Sequence, residues 1–285
     1  MSEGALIDVW DVETFDPELR GDLDAHAELF QDYFVTSRRQ WLEREASDHT
    51  GPYPHNPHAG EFIWVTEHIM RLMEARTIRA WHYTRMTDAE LDAIRQNGIY
   101  LSTLDTIRTR FDRQVAAGAF TQDIADRLFT DSPFQHEQLG SRSDKFWMVS
   151  HPVEIEDSGV ELLLESWGGE SAYFWQRDPA LQTLLKTIGQ PRVLEIAMPL
   201  ALSRHSYSAA EAVVATYART LDCRRHSIST RINRSAPIIF SPSTAKVMRA
   251  SLPWRAAIRW VTSMSALPAP STTDRIARSR KLVFL

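Results

Sequence analysis

Between residues 18 and 46 the apolar side chains Leu23, Phe30, Tyr33, Phe34, Trp41 and Leu42 recur at helical spacing with dense charge between them, which predicts helix. Residues 48–60 hold three Pro, two Gly and three His and read as a loop. A second helix is predicted from about Glu61 to Ala75, where Phe62, Val65, Ile69 and Leu72 fall three or four residues apart. These segments make an N-terminal helical region over residues 1–77.

The period shortens at Ile78. Ile78, Ala80 and Tyr83 lie in an apolar and aromatic run that predicts a strand ending near Thr84. Thr87-Asp88-Ala89-Glu90 then spells a capping box, in which the Thr hydroxyl accepts from the Glu90 amide while the Glu90 carboxylate reaches back to the Thr87 amide. The helix it opens carries Leu91 and Ile94 inward and stops at Asn97-Gly98, where Gly98 can take the left-handed C′ conformation. Ile99 to Leu101 reads as a strand ending at Ser102, and 104–128 as helix. Residues 130–143 read as a loop. Phe146–Ser150, Val160–Ser166, Ala172–Trp175, Val193–Pro199 and Pro237–Phe240 are candidate strands, and 208–221 is helix. The pattern describes a core over 78–262, followed at 263–285 by a Ser-, Pro- and Ala-rich linker and a basic tail.

Composition narrows the class. With 43% hydrophobic and 24% charged residues among 285, the chain is close to the globular average. No basic region leads into a signal-length apolar run, and no stretch reaches the roughly 18 apolar residues of a spanning helix, so a soluble protein outside the membrane is expected. Cys223 is the only cysteine, which excludes an internal disulfide or a cysteine-rich zinc site; it reads as an incidental thiol in a reducing cytoplasm. The net charge of −5 argues against a protein that coats nucleic acid. All but four of the 32 basic residues are Arg, clustered at Arg38-Arg39, Arg224-Arg225 and Arg275 to Lys281, either by compositional bias or as forks for phosphate.

Several signatures are missing: no Gly-x-Gly-x-x-Gly loop, no Walker loop, no Gly-x-Ser-x-Gly elbow and no His-Glu-x-x-His. His55, His58, Glu61 and His68 lie close in sequence, but the loop histidines have no fixed geometry and read as surface residues rather than metal ligands. His82-Tyr83-Thr84 is half of a 2H phosphoesterase signature, yet no other histidine has Thr or Ser two residues on.

What remains is the strand His82-Tyr83-Thr84, a capped helix, Gly98-Ile99-Tyr100-Leu101-Ser102, and later Trp167-Gly168-Gly169-Glu170-Ser171-Ala172-Tyr173. This order resembles the ADP-ribosyltransferase superfamily over about residues 78–200. That superfamily includes poly-ADP-ribose polymerases, the tRNA 2′-phosphotransferase and nucleic-acid-modifying bacterial toxins. The resemblance implies an α+β fold with a split antiparallel or mixed sheet behind the helical layer. It implies NAD as substrate and a macromolecular acceptor, protein or nucleic acid, as for a toxin, effector or defence protein. His82 would hydrogen-bond the ribose, with Thr84 or nearby backbone holding the dinucleotide, and Ser102 binding ligand or ending the strand. Glu170, on a later strand, would orient the ribose hydroxyl or activate the acceptor. Gly169 would let substrate approach the backbone, and Tyr100, Tyr83 or Tyr173 would face the nicotinamide. Displacement of nicotinamide passes through a cationic ribose, which is why such a site needs a carboxylate. On the ordinary reading, His82 is a hydrogen-bonded core residue, Glu170 occupies a turn, and the domain is an inert module binding a nucleotide or a protein.

Overall fold

The structure, a computed structural model, describes residues 6–47, 54–136, 139–153, 155–203, 206–223, 238–239 and 258–261. The Arg224-Arg225 cluster, the 263–273 linker and the basic tail lie outside the described residues. In chain order the helices are α1 (Pro17–Ala25), α2 (Ala27–Ser47), α3 (Ala59–Glu74), α4 (Asp88–Asn97), α5 (Leu104–Ala116), α6 (Gln122–Thr130), α7 (Leu139–Arg142), α8 (Ser158–Glu165), α9 (Glu170–Tyr173), α10 (Pro179–Thr187) and α11 (Ser206–Cys223). The strands are β1 (Thr77–Met86), β2 (Trp147–Met148), β3 (Gln190–Pro199), β4 (Ile238–Ile239) and β5 (Ile258–Val261). β3 is central in a three-stranded sheet, between β1 and an antiparallel β5, and β2 pairs with β4. Helix and strand are mixed, as the periodicity predicts, and no described helix is long and apolar enough to cross a membrane.

The chain divides into two compact units, one of Met1–Arg79 with Met198–Ile238, the other of Ala80–Ala197 with Ile239–Leu285. In the first unit, Asp16 caps α1 by accepting from the Leu19 amide at 3.0 Å, and Pro17 stands where its missing N–H costs nothing. The same carboxylate takes the Arg76 fork, Nε at 2.6 Å and Nη2 at 2.9 Å. Arg76 Nη1 donates to Leu72 O at 2.5 Å and Nη2 also reaches Glu18, so one guanidinium ties the end of α3 to the start of α1. That hydrogen bond to Arg76, before the backbone amides, holds the Asp16 carboxyl down at about 2. Helix α11 packs with α2 and α3, and Phe30 meets Phe62 and Tyr217 edge-on. The helix predicted over 18–46 is broken at His26, whose ring nitrogen Nδ1 bonds the Asp22 carbonyl. Leu23 and Phe30 are still both buried, because residues seven apart share a face, and the apolar spacing therefore hides the break.

In the second unit the capping box at α4 is present as spelled, and Gly98 follows it with a φ of 83°. Three predictions fail locally. Val160–Ser166 is not a strand: α8 starts after Asp157, whose side chain accepts from the Gly159 amide. A short apolar run fits either period, and here Val160 and Leu164, four apart, bury together against Trp81, Tyr83 and Val193. Ala172–Trp175 is not a strand either, since Glu170 to Tyr173 form the one-turn α9. Ile99–Leu101 makes no ladder. Only Ser102 bridges, to Lys145, and the cap of α5 is Thr103. The helical stretch 104–128 is split between α5 and α6 at Gly118, where φ is 73°.

Gly189 sets how closely α10 returns to β1. At φ 65°, a Cβ there would stand 2.5 Å from the carbonyl of Met86 and 2.8 Å from the Thr87 amide, the residue that caps α4. The strained backbone and the clash add, so Gly189→Ala is expected to lower stability by at least about 2 kcal/mol. Denaturant unfolding checks this, and an unchanged midpoint contradicts it.

Candidate functional site

β1 sorts its side chains by alternation. Trp81 and Tyr83 pack with Val160, Leu164 and Val193. The Tyr83 hydroxyl donates to Val153 O at 3.0 Å and accepts from Val153 N at 2.6 Å, and burial raises its pKa above the ordinary tyrosine value. Tyr83 is thus an anchor for the segment after β2, on the face away from His82. His82 and Thr84 share the other face, where Thr84 is buried.

The His82 ring lies 4.3 Å from Phe146, tilted by 36°, and its Nδ1 is 2.7 Å from Trp147 O. A carbonyl can only accept, so Nδ1 carries the proton and Nε2 offers a lone pair. Burial first, and then the charge of Arg110, push the ring down to about 4, against the opposing effect of the Trp147 bond. At neutral pH His82 is therefore an uncharged acceptor.

Arg110 is a residue that the sequence motifs do not single out. It projects from α5 and its Nε donates to Glu90 Oε1. Its guanidinium lies 4.7 Å from the Trp167 ring centre. Glu90, the capping-box residue of α4, accepts in addition from the Thr87 amide at 2.7 Å and the Trp167 indole at 2.8 Å. Burial alone would raise the Glu90 carboxyl, but Arg110, Thr87 and Trp167 together hold it below the usual range. Burial likewise opposes the charge on Arg110, and the Glu90 carboxylate, with Tyr100 as a smaller influence, keeps its pKa above the ordinary value. Tyr100 is 38% exposed.

Trp167 is fully buried and precedes the turn that carries Glu170. Gly168 and Gly169 have φ of 88° and 56°. A Cβ on Gly168 would stand 2.4 Å from that of Ala172, whereas on Gly169 it would meet no described atom within 4 Å beyond its chain neighbours. The Gly169 backbone is therefore open to close approach. Glu170 begins α9 instead of lying on the expected strand, and it forms an ion pair with Arg142. The Arg142 guanidinium also sits 4.6 Å from the Phe174 ring centre. Tyr173 packs against the apolar cluster around Trp167, and burial raises it to about 12.

One short strip, 142–147, touches three of the candidate residues. Arg142 holds Glu170. Asp144 N donates to Ser102 O at 2.8 Å, and Ser102 N donates to Lys145 O at 3.1 Å. Phe146 and Trp147 hold His82. The five steps from Arg142 to Trp147 span at most about 18 Å, so His82, Ser102 and Glu170 are contacted from one stretch of that length. Asp144, with φ 58°, takes the left-handed backbone that Asp tolerates better than most residues. Of the three candidate tyrosines, Tyr83 and Tyr173 are spent on packing. Tyr100 is the exposed one, and Phe146 is an aromatic neighbour of His82 that no sequence motif marks. His68, close in sequence to His55, His58 and Glu61, bonds Asp22 at 3.0 Å.

Because the folded value of His82 lies below its unfolded 6.5, the unfolded chain takes up this proton first. His82 makes no such contribution above that pH and costs stability increasingly as pH falls from 6.5 to about 4. A nitrogen-15 NMR titration is expected to show His82 as the neutral Nδ1–H form down to about 4. A midpoint near 6.5 contradicts the site as described.

No protein-family model, curated protein or solved structure matches the chain.

Proposed function

We propose that the chain is an ADP-ribosyltransferase-like enzyme that uses NAD and transfers ADP-ribose to a macromolecular acceptor, protein or nucleic acid, as a toxin, effector or defence protein does. The observation that carries the reading is the neutral His82, its Nε2 lone pair presented beside Phe146 and the Arg110 charge. The split-sheet fold of that superfamily belongs to the same proposal.

In this reading His82 Nε2 accepts a hydrogen bond from a ribose hydroxyl and fixes the sugar. Phe146 and Tyr100 offer aromatic faces for the nicotinamide ring. The bond from ribose C1′ to the nicotinamide nitrogen breaks with both electrons leaving on nicotinamide. The acceptor nucleophile attacks C1′ and gives its proton to a base. Glu170 stands for the carboxylate that stabilises the cationic ribose or takes this proton. Gly169, the open backbone of the turn, lets the sugar approach.

The ion pair between Glu170 and Arg142 favours a second reading, a module that binds a nucleotide or a protein without turnover, because the pair already occupies the carboxylate that turnover needs. Nicotinamide release from NAD separates the two. On the enzyme reading, His82→Ala and Glu170→Gln each slow release by about 100-fold or more with the fold intact by circular dichroism. Equal release by wild type and both variants removes it, and NAD binding without release selects the inert module.

A further inference from the structure

The guanidinium of Arg110 is used differently from those of Arg85 and Arg76. Arg85 gives Nε to Ile188 O at 2.8 Å and turns Nη1 toward Leu164 O at 3.5 Å, satisfying local carbonyls. In the helical unit, Arg76 spends Nε, Nη1 and Nη2 on Asp16, Leu72 and Glu18. Arg110 does neither. Its Nε is bonded to Glu90 and one face lies near the Trp167 ring, yet its Nη1 and Nη2 have no hydrogen-bond partner among the described residues. The side chain is nevertheless 16% exposed, so the outer edge is held rather than mobile.

We infer that Arg110 is an anion-binding fork of the His82 site and that the group it takes is a phosphate or pyrophosphate. The edge formed by Nη1 and Nη2 presents parallel N–H donors at the spacing of two oxygens on one phosphorus. Glu90 neutralises the guanidinium from behind and fixes its plane, so binding an anion in front breaks no existing bond and orders no free side chain. The neighbourhood suits an anion. His82, whose ring feels the Arg110 charge, is itself uncharged with its Nε2 left for a hydroxyl, and the exposed Tyr100 is close enough to Arg110 to influence its charge. An anion on Arg110 next to a hydroxyl on His82 describes a sugar phosphate. The assignment to the pyrophosphate of NAD rests on the functional reading above, whereas the fork itself does not.

The test compares wild type with Arg110→Lys, which leaves a cation for the buried Glu90 carboxylate where a neutral residue would strand it. Both are titrated calorimetrically with inorganic pyrophosphate, with NAD and with nicotinamide riboside, which lacks phosphate. Wild type is expected to bind all three. Arg110→Lys is expected to weaken pyrophosphate and NAD by about tenfold to a hundredfold and to leave nicotinamide riboside within about twofold. In wild type, the Arg110 side-chain N–H resonances shift with pyrophosphate, a reading that holds even if the variant does not fold. Unchanged affinity for pyrophosphate in the variant, equal weakening of all three ligands, or silent Arg110 resonances overturns the fork. Pyrophosphate binding without NAD binding in wild type keeps the fork and removes the NAD reading. NAD binding that ignores Arg110→Lys while pyrophosphate binding weakens keeps the fork and removes its assignment to the pyrophosphate of NAD.

Discussion

The carboxylate of Glu90 organises the second unit. It is 5% exposed and accepts from the Thr87 amide and hydroxyl, the Trp167 indole and Arg110. A buried carboxylate is tolerated only where its charge is matched and its lone pairs are filled, and removing one partner of such a pair leaves the other stranded at a cost of about 3–5 kcal/mol. Glu90 therefore joins three parts of the chain that are far apart in sequence: the first turn of α4, the middle of α5 and the turn before α9. That one group holds the Arg110 guanidinium and the Trp167 indole just before the Glu170 turn.

Around it the site is built by elements with little regular structure of their own. β1 supplies His82 on one face and the Tyr83 anchor on the other. The strip from Arg142 to Trp147 supplies the groups that hold Glu170, Ser102 and His82 in turn. The backbone of this strip includes the left-handed Asp144. Positive φ at a residue other than Gly costs energy, and such residues tend to persist where the surroundings over-determine them.

The sequence discloses the local half of this arrangement. Thr87-x-x-Glu90 announces its capping box because the partners are three residues apart, and the structure keeps it. The same Glu90 also meets Arg110 and Trp167, and no local rule reports contacts 20 and 77 residues away. The partner of His82 was hidden for the same reason, since Trp147 contributes only its carbonyl, a group every residue has. Arg142 fell in a stretch that reads as loop. The strand expected at Val160–Ser166 is α8 because an apolar run satisfies both periods, and the spacing of apolar residues gives no weight to the Asp157 cap in front of it. Glu170 moved from strand to helix start through Gly168, whose approach to Ala172 leaves no room for a Cβ.

On this account a neutral imidazole, kept neutral by burial and by a cation that Glu90 fixes, waits as a hydrogen-bond acceptor for a sugar hydroxyl. The most direct measurement is the nitrogen-15 spectrum of His82 in the wild-type protein with and without NAD at neutral pH. The account predicts that Nε2 keeps the shift of an unprotonated nitrogen without NAD and moves toward that of a hydrogen-bond acceptor when NAD is added. A His82 signal that stays fixed at saturating NAD, or that is already protonated on both nitrogens, contradicts it.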